Sequence, residues 1–133
     1  KERTDNYYSF WELSSNSHIN EGEYIGLFKS ADAIVHDCGS FILESLLSEK
    51  PCAYLHFNGQ DQLSAINQYG LDLICCHYTV TELFMLERFV VDVGSGDLAI
   101  KSEHKCFLEN QIYPFYKENK PSDIILAELK RFN

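Results

Sequence analysis

The chain has 133 residues, 45% of them hydrophobic, and a formal net charge of −9 from 20 acidic and 11 basic side chains. That length and apolar content suit one core and a single domain over residues 1–133, and no apolar run approaches membrane-spanning length. The acidity excludes a nucleic-acid-binding surface, which needs clustered Lys and Arg to neutralise phosphates.

In chain order, Asp5 to Leu13 reads as an aromatic-rich helix, with Tyr8, Trp11 and Tyr7 available to pack on a sheet. Ser17–Asn20 reads as a short strand, Glu21-Gly22 as a turn and Tyr24–Lys29 as a short helix. Ala33–His36 has β-branched residues at its centre and fits a strand covered on both faces. Asp37-Cys38-Gly39-Ser40 follows as a tight turn, in which Gly39 allows a conformation or close approach that a Cβ would hinder. Ser40 is a favoured N-cap type directly before Phe41-Ile42-Leu43. In that helix Ile42, Leu43, Leu46 and Leu47 form the expected buried stripe, and Ser40, Glu44 and Ser48 share another side. Lys50-Pro51 ends it, and Cys52–Leu55 returns as the next strand.

Beyond that strand, His56 and the loop Asn58-Gly59-Gln60 stand at a second strand end. Residues 61–70 read as loop, with a helical turn as the alternative, and Leu71–His77 as an edge strand. Thr79 to Glu82 has capping-box spacing ahead of the apolar face Leu83, Phe84, Leu86, Phe89 and Val90. Gly94-Ser95-Gly96 breaks this helix, Asp97 caps the next one, and Pro114 closes it. Pro121-Ser122-Asp123 opens a final amphipathic helix carrying Ile124, Ile125, Leu129 and Phe132. The pattern as a whole is α/β, with a small parallel sheet of three to five strands.

The chemistry concentrates at the turn after Ala33–His36. In open α/β sheets, ligands bind outside the carboxyl ends of the strands. A helix opening with Gly-Ser at such an end presents N–H groups to an anion, usually phosphate. Asp37, Cys38, Gly39, Ser40, Glu44 and His56 are therefore the candidate binding residues, the last as part of the neighbouring loop. Glu44 lies one position beyond capping-box spacing from Ser40, so a reciprocal cap does not account for it. An ordinary βαβ connection with a capped helix and a surface glutamate fits the same spacing equally well.

Five cysteines, Cys38, Cys52, Cys75, Cys76 and Cys106, are odd in number, and three lie in apolar stretches. They fit reduced thiols of a cytoplasmic protein better than a disulfide framework. Cys75-Cys76-His77 lacks the C-x-x-C spacing of zinc sites, so no metal or other cofactor is expected. Cys38 lies near a helix start and two residues from His36, which permits a Cys-His nucleophile. The preferred reading is a small residue filling the turn.

Residues 24–55 resemble the nucleotide-binding segment of the CDP-glycerol glycerophosphotransferase family, which builds teichoic-acid-like polymers. The likeness rests on the apolar strand, Asp37-Cys38-Gly39-Ser40, Glu44 and Lys50-Pro51 followed by a second apolar strand. It extends more loosely to Phe10-Trp11 through Ile19 and to Pro121–Ile125. The Asp37-x-Gly39 turn with Glu44 is also similar to UDP-N-acetylglucosamine 2-epimerase. Both families have the GT-B architecture, so the resemblance implies a Rossmann-like three-layer half-domain, the C-terminal nucleotide-binding lobe of a transferase for cell-surface polysaccharide or teichoic-acid-like polymer. It implies that Ser40 and the turn amides contact a diphosphate, that Glu44 contacts ribose or the transferred group, and that Asp37 orients the turn. The implied ligand is a CDP- or UDP-linked sugar or alditol. Cys38-Gly39 replaces the family's aromatic-serine pair, and its upstream His-Pro motif is absent. The expectation is thus a piece of a longer enzyme, inactive alone, whose N-terminal lobe holds the acceptor and whose full-length form associates peripherally with the inner face of the membrane. The alternatives are an epimerase-like lobe and a non-catalytic α/β interaction domain of receiver-like type.

Overall fold

The structure, a computed structural model, describes residues 2–57, 63–117 and 120–132. The chain divides into two compact units, Lys1–Ser30 and Ala31–Asn133.

The first unit holds two helices, α1 (Glu2–Leu13) and α2 (Ile25–Ser30). Along α1, Tyr7 meets Tyr8 and Trp11 edge to face, and Phe10 meets Trp11 in the same way. Tyr8 and Trp11 are exposed. The strand expected at Ser17–Asn20 does not form. The Ser17 hydroxyl folds back onto the Trp11 and Ser14 carbonyls, and Asn20 makes a side-chain turn with the Gly22 N–H and the Glu23 carbonyl. Such local bonds offer the backbone an alternative to a sheet ladder.

The second unit is mixed α/β around an open parallel sheet. Among the described residues the sheet has three strands in the order β1 (Ile34–His36), β2 (Cys52–Leu55), β3 (Tyr78–Val80). Ile34 pairs with Cys52 and His36 with Tyr54, while Tyr54 pairs with Thr79 and Leu55 with Val80. Helix α3 (Phe41–Leu46) links β1 to β2, and α4 (Gln68–Cys75) precedes β3 after a 3-10 turn at Leu63–Ala65. The edge strand expected at Leu71–His77 is thus a helix, and β3 follows it. An apolar run of this length fits a buried helix as well as a strand. The decision falls to Asn67, whose side chain accepts the Gly70 N–H at 2.9 Å and caps α4. Gly70 suits this position, because a Cβ would come within 2.5 Å of Ile66 Cγ2 and force that side chain to shift.

Strand alternation separates two cores. On one face Ile42, Leu46, Tyr54, Leu73, Ile74, Cys76, Phe107 and Leu108 pack together. On the other, Ala53, Val80 and Phe89 form a smaller cluster beneath α5 (Leu83–Ser95). Glu82 holds the N-cap position of α5 without a side-chain bond, so the capping box is not made. Gly96 ends α5 in the left-handed region at φ 78°, with the Asp97 N–H on the Asp92 carbonyl, the closure expected of a C-terminal glycine.

After α5, helix α6 (Ser102–Phe107) runs through a π-helical turn at Leu108–Ile112 into α7 (Tyr113–Lys117). Lys101, not Asp97, holds the N-cap position of α6. Nor does Pro114 close the helix. Proline removes a donor and crowds the preceding turn, and the wider π turn just upstream, where the Tyr113 N–H reaches the Leu108 carbonyl, accommodates that defect. Helix α8 (Pro121–Arg131) follows with an exposed apolar face. Among the described residues, no helix is long and apolar enough to cross a membrane.

Candidate functional site

The carboxyl end of β1 places Asp37, Cys38, Gly39 and Ser40 together in one exposed turn leading into α3. Ser40 stands at the N-cap position, but its backbone is helical and its side chain caps nothing. Its hydroxyl lies 3.1 Å from Cys38 Sγ instead. The first amides of the helix close the turn on itself, Phe41 N–H onto the Cys38 carbonyl at 3.2 Å and Ile42 N–H onto the Gly39 carbonyl at 3.4 Å. Gly39 has no left-handed φ, and a Cβ there would meet nothing within 4 Å. Its lack of a side chain leaves open space above the turn rather than relieving a clash within the protein.

The Cys38 thiol is exposed, and its pKa is lowered, chiefly by the Ser40 hydroxyl, with the Ser40 and Phe41 backbone N–H groups assisting. His36 does not pair with this sulfur. Its ring turns inward, and Nδ1 donates to the Cys38 carbonyl at 3.2 Å.

Gly39, Ser40, Ile42 and Leu43 form one wall of an open cleft of about 300 Å³, and Ala65, Ile66, Asn67, Tyr69, Gly70 and Leu73 form the other. The start of α3 and the capped start of α4 therefore face the same space. Glu44 is exposed one turn into α3 and is not among the residues lining this cleft. His56 is buried at 6% exposure, with its N–H on the Val80 carbonyl at 2.8 Å. Its Nδ1 has no partner among the described residues. Asn58, Gly59 and Gln60, expected beside it, lie outside the described residues.

Beneath the turn lies a polar cluster that the sequence pattern does not suggest. The buried side of α3 is Ile42, Ser45 and Leu46, whereas Leu43 and Leu47 are exposed. Ser45 Oγ lies 3.2 Å from His36 Nε2 and 2.9 Å from His77 Nε2. His77 Nδ1 donates to the Leu73 carbonyl at 2.9 Å. Burial depresses the pKa of both histidines, His77 to about 4. The one available signal is a lone serine three residues after Ile42 on an otherwise apolar stripe. His104, also buried, donates Nε2–H to the Leu46 carbonyl at 2.7 Å and closes the end of α3.

Cys52 and Cys76 are buried, and burial raises the Cys52 thiol to about 11. Cys75 and Cys106 are exposed. Among the described residues, no group of three or more His, Cys, Asp or Glu side chains could hold a metal ion. Set against known proteins, the chain matches no family model, no curated protein and no solved structure.

Proposed function

We propose that the second unit is the nucleotide-diphosphate-binding lobe of a glycosyl- or glycerophosphotransferase, a Rossmann-like half of a GT-B enzyme. The observation that carries the reading is the convergence of neutral donors at the carboxyl end of β1. The Ser40 hydroxyl lies 3.1 Å from the exposed Cys38 sulfur, and it and the Ser40 N–H lower the pKa of that thiol against the opposing charge of Asp37. The turn opens onto the cleft between the starts of α3 and α4. A diphosphate bound there replaces the Cys38 sulfur as acceptor of the Ser40 hydroxyl and N–H, while the Phe41 N–H stays on the Cys38 carbonyl, and the net charge of −9 is no obstacle because the donors are uncharged. In a transferase the same groups stabilise the departing CMP or UDP, and groups outside this chain hold the acceptor.

Thermal melting of the chain with CDP-glycerol and with UDP-N-acetylglucosamine tests the reading. The expected result is a rise in Tm that grows with ligand concentration. A fold-neutral Gly39→Ala substitution, which fills the open space above the turn, abolishes that rise while leaving the unliganded Tm unchanged. No rise with either nucleotide counts against the reading. It favours instead a non-catalytic interaction domain, which the exposed apolar side chains Phe84 and Val91 on α5 and Leu129 on α8 support.

A further inference from the structure

The buried cluster beneath the turn has one hydrogen too few. Carbonyl oxygens only accept, so the Leu73 and Cys38 carbonyls require hydrogens on Nδ1 of His77 and of His36. With both rings neutral, each Nε2 is then a bare acceptor. Both face the same Ser45 hydroxyl, which owns a single hydrogen and also has the Ile42 carbonyl within reach at 3.4 Å. The shorter contact, 2.9 Å, takes it to His77, and His36 Nε2 is left against an oxygen lone pair at 3.2 Å. One added proton completes the set: His36 Nε2–H donates to Ser45 Oγ, and Ser45 O–H donates to His77 Nε2.

We propose that His36, Ser45 and His77 form a one-proton relay beneath the sheet, which loads at His36 on acidification and tightens the Asp37–Ser40 turn held by the same imidazole. His36 is the site of loading because of what faces each ring. Asp37, adjacent on the chain, favours charge on His36. Lys101, whose Nζ donates to the Cys75 carbonyl at 2.6 Å and the His77 carbonyl at 3.1 Å, disfavours charge on His77, as does His104 on α6. From β2, Tyr54 packs edge-on to both rings, and the Cys52 thiol donates to the Ser45 carbonyl at 3.3 Å. Cys76 and Glu103 lie nearby around the end of α4 and the start of α6, where the Cys76 thiol meets the Glu103 carbonyl at 3.6 Å. A second proton on His77 is opposed by the first, with the two ring centroids only 5.2 Å apart.

The link to the turn is direct. The Cys38 carbonyl receives both His36 Nδ1–H and the Phe41 N–H that begins α3. A charged imidazolium makes the shorter and stronger bond. Loading the relay therefore draws the turn that carries Cys38 and Ser40 toward β1. Because Ser45 lies on α3, the same ring clasps the connection at both ends.

Imidazole nitrogen NMR of the full chain from pH 8 to pH 4 tests this. At pH 8 both rings are expected to carry hydrogen on Nδ1 only. On acidification His36 takes a proton, and the His77 Nε2 signal and the Cys38–Phe41 amides move at that same midpoint. In Ser45→Ala the His77 step is lost and the His36 midpoint falls by about one pH unit, the equivalent of one charged hydrogen bond. Hydrogen on Nε2 of either ring at pH 8 overturns the proposal, as do two independent titrations unchanged by Ser45→Ala, or no His36 titration in this range. The tautomer reading in the wild-type chain decides the matter even where Ser45→Ala does not fold.

Discussion

The two faces of the sheet solve the burial problem differently. On the α3 and α4 face the interior mixes Leu46, Tyr54, Leu73 and Phe107 with Ser45, His36, His77 and His104, and each of these polar side chains is hydrogen-bonded within the unit. On the α5 face, among the described residues, the fully buried cluster is Ala53, Val80 and Phe89 with partly buried Leu55, Tyr78, Leu86 and Leu98 against it, Val35 of β1 is 40% exposed, and Phe84 and Val91 are exposed. The first face specifies a unique arrangement through directed bonds, and the second rests on non-directional contact. The candidate site stands on the specified face, where a turn can be held in register by the side chains beneath it.

The sharpest way to break this contrast is to cut a side chain from the specified face. Leu46 is 0% exposed and its carbonyl is held by His104, so Leu46→Ala is expected to cost about 2–5 kcal/mol in denaturant unfolding. Acidification acts on the same face. Burial holds His36, His77 and His104 below the ordinary 6.5, so charging these rings costs the fold as a whole even though a proton on His36 tightens the turn locally. The contribution of the neutral rings is full above pH 6.5 and drains as pH falls toward about 4, where folded His77 takes a proton. Chemical denaturation at pH 7.5 and pH 4.5 is expected to show the loss, and equal stability at the two would remove the argument.

Smaller effects sharpen the comparison further. Gly70→Ala presses a methyl on Ile66 at 2.5 Å and is expected to cost about 1–3 kcal/mol, while Gly39→Ala leaves unliganded stability within about 0.5 kcal/mol. The least effect is expected on the α5 face. Phe84, 66% exposed, can become Ser with a change within about 0.5 kcal/mol by thermal melting.

Local chemistry made some parts legible from sequence. The β1–turn–α3–β2 connection follows from β-branched residues, Gly39-Ser40 and Lys50-Pro51, and Gly96 marks the end of α5. Long-range chemistry hid others. Whether Leu71–Cys75 is helix or strand depends on the Asn67 cap, and the length of the α6–α7 helix depends on a π turn that absorbs Pro114. The site divides in the same way. Its turn is contiguous in sequence, but the opposite wall of Ala65, Ile66, Asn67, Tyr69, Gly70 and Leu73 is set by where α4 packs. Ser45 and His77, 32 residues apart, meet only through the fold. Glu49 carries a left-handed φ of 58°, a role usually given to glycine, with its carboxylate accepting the Tyr113 hydroxyl at 2.8 Å.

The most direct measurement is an amide NMR titration of the chain with CDP-glycerol, with UDP-N-acetylglucosamine in parallel. The account predicts that the largest shifts fall on Cys38–Phe41, the turn that holds Gly39 and Ser40 of one wall of the cleft, and on Asn67, Tyr69 and Gly70 of the other. Saturating nucleotide that leaves these amides unmoved, or that moves α5 and α8 instead, would contradict it.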